Sequence, residues 1–517
     1  MTQRLRLSES NRRWWTLGAM CFALFMVMLD NTVTNVALPS IQRDFGASLS
    51  ALEWTINAYT LTFAVLLVTG GRLGDIFGRR RVFLIGVVAF AVASAMIGVA
   101  PGEGTLVAFR ALQGIGAALM MPATLSIITN AFPPHERGKA IGTWAGVSAI
   151  ALAAGPLVGG WLTEDVSWRA IFFLNIPVAI GAIAVTLFAT HESRDETVSR
   201  QVDFGGIAAI TLTLAPLVLA LVEGNAWGWG SPAILALFGT SAAALIAFVL
   251  IERTSASPIV DFAFFRSRQF LGANIVAFAV SFAMFAMFFF LALYMQNILG
   301  YSPLETGARF LPSTVVIIFA GPIAGRLTDR IGPRPLMTGG LVLVGASMLW
   351  QSRITLDTSY GYLLPAFVAM GLGMGFVMSP MSAAAMNAVD RTKAGVASGV
   401  LSMSRMVGGT FGVAALGALI AGVGRSDLER SLPSVTGEAR DRLVDGLGSG
   451  TGLEHAPAAV QTATGSAFVD ALGTGLIISA AAALLAAVVA WKLIDGSRPA
   501  HPEAVPALEG EATPVPG

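Results

Sequence analysis

Three charged side chains sit where lipid makes charge expensive. Asp30 falls inside the first long apolar run of the chain, Arg110 inside the fourth and Arg405 inside the thirteenth. A charge near the middle of a membrane helix costs about 2.5–3.5 kcal/mol on insertion scales, so each of the three needs a partner, a polar cavity or a task. Asp30 lies about eight residues before the outer end of its run and Arg110 about four after the outer start of its own, which places both roughly 6–12 Å below one membrane surface. A carboxylate and a guanidinium in one layer of a low-dielectric bundle have two uses. They form a fixed ion pair that fastens two helices, or a proton site whose occupancy changes as helix movement brings the guanidinium closer or takes it away. Arg405 lies about ten residues, or roughly 15 Å, into its run with no acid at that depth in the same half; helix carbonyls, snorkelling or a polar cavity would each answer its charge. Arg309 follows Glu305 by four residues, the spacing of a helical ion pair.

Fourteen apolar segments between residues 15 and 491 must position these side chains. Each is near the ~20 residues needed to cross a ~30 Å hydrocarbon core. Lipid offers no partner to exposed backbone groups, and the runs are too long and continuous for barrel strands, so all are expected to be helices. Composition agrees: 55% of residues are hydrophobic and 12% charged, with a mean hydropathy of +0.72. Lys and Arg number 32 against 31 Asp and Glu, which gives no overall field to recruit nucleic acid. The one cysteine, Cys21, rules out an intrachain disulfide. Assigning loops alternately to two sides puts 22 of the 32 basic residues on one side and 7 on the other, which orients both termini toward the cytoplasm. The basic start imitates a signal peptide, but the apolar run continues past Asp30 without a small-x-small cleavage site and reads as a retained first helix.

One short sequence occurs twice, 254 positions apart: Gly71-Arg72-Leu73-Gly74-Asp75-Ile76-Phe77-Gly78-Arg79-Arg80-Arg81 and Gly325-Arg326-Leu327-Thr328-Asp329-Arg330-Ile331-Gly332-Pro333-Arg334-Pro335. Each copy lies between two apolar runs, so the chain reads as two related membrane halves. The organisation is a cytoplasmic N-terminus (1–14), a six-helix half (15–190), a linker with two extra helices (191–268), a second six-helix half (269–495) with an outside loop at 422–466, and a disordered cytoplasmic tail (496–517). In the duplicated loop Gly71 and Gly78 permit a tight reversal, Asp75 can accept from freed backbone N–H groups or a basic partner, and Arg79, Arg80 and Arg81 are expected to face the cytoplasm and anionic lipid. An orientation signal alone would explain the basic cluster; a latch between halves is the other reading, with Asp329 and Arg334 as its second copy.

Several motifs, in order along the chain, resemble those of the major facilitator superfamily, in particular its fourteen-helix drug:proton antiporters. They are Leu29-Asp30-Asn31-Thr32 through Pro39, the loop Gly71–Arg81, Arg110 through Gly116 in the fourth segment, Gly146 with Gly155-Pro156-Leu157-Val158-Gly159-Gly160 in the fifth, and Asn175-Ile176-Pro177 in the sixth. The resemblance implies an all-α integral membrane fold of fourteen transmembrane helices, two six-helix halves plus two linker helices. It also implies alternating access, proton coupling at Asp30 and Arg110 in the first half, and a loop latch. In the fifth helix, small residues and Pro156 fit simple tight packing; the resemblance adds that this helix packs the halves together and closes a leak path.

The expected activity is proton-coupled export of amphipathic drugs, antibiotics or dyes from a multi-pass protein of the cell membrane, working as a monomer among membrane lipids, with the proton as coupling ion and no cofactor or metal. Export of a self-made metabolite or lipid, passive facilitation and a receptor role stay open. An ATP-driven pump would need a phosphate-binding loop, yet Gly138-Lys139 is followed by Ala140, and the four histidines are scattered over loops and tail rather than clustered as in an enzyme site. Trp54, Asn57, Tyr59, Gln113, Met284, Phe288, Tyr294, Gln296 and Arg405 are the candidate lining of an adaptable cargo cavity.

Overall fold

The computed structural model describes residues 8–45, 49–194, 203–255, 262–301, 303–390, 393–445, 447 and 457–496. Most of the expected tail, from 497 on, and residues 1–7 lie outside them. In chain order the helices are α1 (Glu9–Phe45), α2 (Leu49–Phe77), α3 (Arg79–Gly98), α4 (Glu103–Ala131), α5 (Pro134–Asp165), α6 (Trp168–Phe173), α7 (Asn175–Ala189), α8 (Phe204–Trp227), α9 (Pro232–Thr254), α10 (Arg268–Leu293), α11 (Pro303–Ile331), α12 (Pro333–Gln351), α13 (Tyr360–Asn387), α14 (Ala394–Ser431), α15 (Glu438–Asp445) and α16 (Ala458–Leu493). A π turn, Tyr294–Ile298, extends α10. The α6–α7 rod is interrupted at Leu174; Pro177, with no N–H, cannot donate to the Phe173 carbonyl four residues back.

Eleven described segments are long and apolar enough to cross a membrane by length and composition, and α8 carries a shorter apolar stretch, Gly205–Leu221. With α5 running beside α1 and α11, and α12 beside α13 and α16, the long segments come to fourteen when α6 and α7 count as one. The protein is a multi-pass, all-helical membrane protein.

The two halves pack alike. In the first, α4 lies against α2 and α3, and α1 against α5 and α7; in the second, α13 lies against α11 and α12, and α10 against α14 and α16. The linker helices α8 and α9 pack on each other, and α8 touches α2 and α14. The halves meet along two symmetry-related seams, α2 with α14 and α5 with α11. Both seams are glycine crossings: a Cβ on Gly71 would strike the Gly395 carbonyl, and one on Gly138 would lie 2.5 Å from the Gly325 carbonyl, so only Gly lets the backbones approach this closely.

One expected boundary moves. The outside loop 422–466 is shorter than the sequence reading gave it, because α14 continues to Ser431 and α16 begins at Ala458. With 38 residues α14 is ~57 Å long, well beyond a ~30 Å core. Its polar end stays helical because Asp427 and Arg430 pair at 3.2 Å and Leu428 packs in a small apolar cluster with Val444 and Ala467. The short helix α15 lies within what remains of that loop.

Candidate functional site

Asp30 of α1 and Arg110 of α4 meet: Arg110 Nη1 lies 2.6 Å from Asp30 Oδ2. The other carboxylate oxygen, Oδ1, accepts from Gln113 Nε2 at 2.9 Å and from Asn175 Nδ2 at 3.0 Å. Arg110 also donates from Nε to the Thr55 carbonyl at 2.9 Å and from Nη1 to Gln113 Oε1 at 2.6 Å, and its guanidinium carbon lies 4.3 Å from the centroid of the Tyr59 ring. Ser94 of α3 accepts from Asn175 at 2.9 Å and donates to the Phe172 carbonyl at 2.9 Å. The cluster ties together α1, α2, α3, α4, α6 and α7, all in the first half. Asp30, Gln113 and Ser94 are 0% exposed, and Arg110 and Asn175 1%, so the ion pair is sealed in this conformation.

Such a pair holds its charges only while every partner stays in place. Removing one partner of a buried ion pair costs about 3–5 kcal/mol, because the other charge is left without an answer.

The duplicated loops build a second feature. Arg79, expected to face anionic lipid, is instead buried at 1% exposure because it pairs with Asp75, donating to it from Nε at 2.9 Å and Nη2 at 2.7 Å. The same carboxylate reaches across to the other half, accepting the N–H groups of Gly395 at 3.0 Å and Val396 at 2.9 Å in the first turn of α14. These first-turn donors have no helical partner of their own, and the helix dipole favours an anion there. Gly78 holds φ at 106°, a backbone form that disfavours other residues, and Glu192 fills the space beside it; Arg80 donates its N–H to Glu192 at 3.0 Å. In the second copy Asp329 accepts from the backbone N–H groups of Lys139 and Gly138 near the start of α5. Pro333 stands where the first copy has Arg79, and Arg334 Nε donates to the Ile494 carbonyl at 2.7 Å. Further hydrogen bonds join the halves at this same end: Ser398 Oγ to the Pro122 carbonyl at 2.7 Å, Arg137 Nη1 to Asn387 Oδ1 at 2.7 Å, and Ser379 Oγ to the Gly138 carbonyl at 3.2 Å.

The small residues of α5 divide by depth. Gly138, Gly142 and Gly146 face α11 of the other half, whereas Gly155 faces Thr32 and Gly159 faces Val33, both on α1 of the same half; Gly160 has open space around it. Pro156 continues the helix between them.

The structure distributes the candidate cavity residues unevenly. Tyr59 and Gln113 belong to the sealed ion-pair cluster. Tyr294 is buried, its hydroxyl donating to the Thr355 carbonyl at 2.5 Å. Trp54, Asn57, Met284, Phe288, Gln296 and Arg405 are half-buried, and Phe288 packs edge-on against Phe310 with centroids 5.0 Å apart. Arg309 stacks 3.6 Å over Tyr301 and lies 4.0 Å from Glu305. Sequence reasoning overlooked Ser94 and gave Asn175 no role beyond a motif; a lone hydroxyl in an apolar run and an amide two residues before a proline were the available signals.

A two-fold helix bundle with a sealed ion-pair cluster in one half, and matching acidic loops that dock on helix starts of the opposite half, defines a membrane transporter built from an internal repeat. The chain belongs to the Major Facilitator Superfamily, whose profile matches residues 20–413. It is 35% identical over 491 residues to the tetracenomycin C resistance and export protein of Streptomyces glaucescens, covering 93% of this chain and 91% of that one. It is 37% identical over 497 residues to the puromycin resistance protein pur8 of Streptomyces alboniger, covering 95% and 93%. By their names both relatives are antibiotic-resistance proteins, and the first is also an export protein. In fold it is similar to the crystal structure of the human organic anion transporter MFSD10, with a TM-score of 0.62 at 13% identity, covering 94% of this chain and all of that one.

Proposed function

We propose that the protein is a proton-driven exporter of amphipathic small molecules, in which Asp30 carries the coupling proton and Arg110 governs when it is released. The observation that carries this reading is the sealed cluster: a fully buried carboxylate inside a transporter, held by a guanidinium and an amide of α4 and an amide of α7. Each proton moving inward supplies about 2.3 kcal/mol per 100 mV, plus the pH term, which suffices for uphill export. The basic excess on the loop side supports placing both termini and the latch in the cytoplasm. On that orientation the hydrogen bonds at the loop end close the cytoplasmic side, and protonation of Asp30 from outside, with rupture of the latch, turns the protein inward for the next cargo.

The test is accumulation of ethidium, neutral antibiotics and anionic dyes in cells that overexpress the protein. Accumulation of at least one compound falls, and a protonophore restores it. Accumulation that ignores the protonophore and responds to an ATPase poison contradicts the reading. The tetracenomycin C resistance and export protein among the relatives favours one variant of it, in which the cargo is an antibiotic.

A further inference from the structure

Arg405 is the membrane charge that the Asp30 cluster leaves unused. It stands on α14, whose faces are assigned by their contacts. Gly408 and Gly412 lie against Phe278 and Phe282 of α10, and Ser404 donates to Asn274 of α10 at 2.9 Å. Gly399 lies against Leu67 of α2. The remaining face carries Ser398, which bonds the Pro122 carbonyl of α4 in the opposite half. Arg405 follows Ser398 by seven residues, nearly two full turns, so it projects within about 20° of the same face and roughly 10 Å farther from the loop end. It therefore faces the space between α14 and α4, beyond the point where the halves touch, and not the lipid.

Its surroundings differ from those of Arg110 in one decisive way. Arg110 is 1% exposed and donates to a carboxylate, a carbonyl and an amide. Among the described residues Arg405 is half-buried and makes one hydrogen bond, a long 3.5 Å contact from Nη2 to Ser402 Oγ, and no described carboxylate pairs with it. A guanidinium carries five N–H donors in a planar fork, so most of them have no described protein acceptor. Ser402 stands one turn away, and Met406, also half-buried, supplies an adaptable thioether at the next position.

Building on the export reading, which locates cargo between the halves, we propose that Arg405 with Ser402 forms an anion subsite for cargo. It would take the carboxylate or another delocalised oxyanion of an amphipathic molecule. A planar fork in a low-dielectric space matches such a group bidentately, and the charge-assisted bonds are stronger there than in water.

The probes are anthracene-2-carboxylate and its neutral methyl ester, which differ in charge and share the ring system. Their binding is read by fluorescence anisotropy on the full-length protein in lipid nanodiscs. Wild type binds the carboxylate more tightly than the ester. Arg405→Ala weakens carboxylate binding about ten-fold or more, the loss of one charge-assisted contact, and leaves ester binding within about two-fold; Arg405→Lys keeps part of the carboxylate preference. Ester binding reports that the variant is folded. Equal loss of both probes, an unchanged carboxylate affinity in Arg405→Ala, or no wild-type preference for the carboxylate overturns the proposal. Because binding is read without a gradient, failure of proton-driven export leaves this result standing, and loss of charge preference leaves the export reading standing.

Discussion

At the scale of single residues, the ion pair is stabilised less by its own attraction than by the completeness of its shell. Both oxygens of Asp30 are occupied and Arg110 spends its donors on Asp30, Gln113 and Thr55. Removing the guanidinium alone leaves a buried anion with two amide donors, at a cost of about 3–5 kcal/mol, whereas neutralising both charges together is close to neutral. Arg110→Ala is thus expected to melt well below wild type in detergent. The double variant Asp30→Asn with Arg110→Gln is expected to recover much of that loss, although it should not transport. A double variant that melts as low as Arg110→Ala alone would mean that the pair's charges are not what the cluster stabilises.

At the scale of helices, each duplicated loop carries one carboxylate onto the start of a helix in the other half: Asp75 onto α14 and Asp329 onto α5. Asp75→Asn removes the charge from bonds worth about 1.5–3 kcal/mol each, so the closed loop end should open about ten-fold more often. Cys21 is the one cysteine of the sequence, which makes a cysteine-free background simple to build. A cysteine introduced by Ser398→Cys in that background should react with maleimide about ten-fold faster when Asp75→Asn is added. Unchanged labelling together with loss of protein from the membrane would assign Asp75 to folding instead. At the far end of α1, Asp44 accepts from Arg169 Nη1 at 2.6 Å and Trp168 Nε1 at 3.1 Å. These bonds hold its carboxyl below the ordinary carboxylate range. A carboxyl with a depressed folded value contributes above its unfolded value and loses that contribution as pH falls through the folded one. The difference in melting temperature between wild type and Asp44→Asn is therefore expected to stay constant from about pH 5 to pH 8 and to shrink only below about pH 4. A difference that already shrinks between those limits would show that Asp44 is not held by Arg169 and Trp168.

At the scale of the whole molecule, the repeat at Gly71 and Gly325 was the most legible feature, because glycines and acids that must make the same crossing in both halves leave the same residues at the same offsets. The apolar runs were legible for the same reason: lipid imposes length and continuity on them. Arg110 was legible as a partner of Asp30 from its depth, but the amides Gln113 and Asn175, and Ser94 behind them, were not, since they meet only through the packing of separate helices. The far end of α14 was hidden too, because its polar residues look like a loop until α15 and Leu428 are seen to hold them. What unites the scales is the proposal that Asp30 carries a proton while the halves exchange access. The most direct measurement is transport of an identified cargo by purified protein in liposomes under an imposed pH gradient, comparing wild type with Asp30→Asn. The account predicts that Asp30→Asn still binds cargo and reconstitutes normally but shows no gradient-driven accumulation; full gradient-driven accumulation by Asp30→Asn would contradict it.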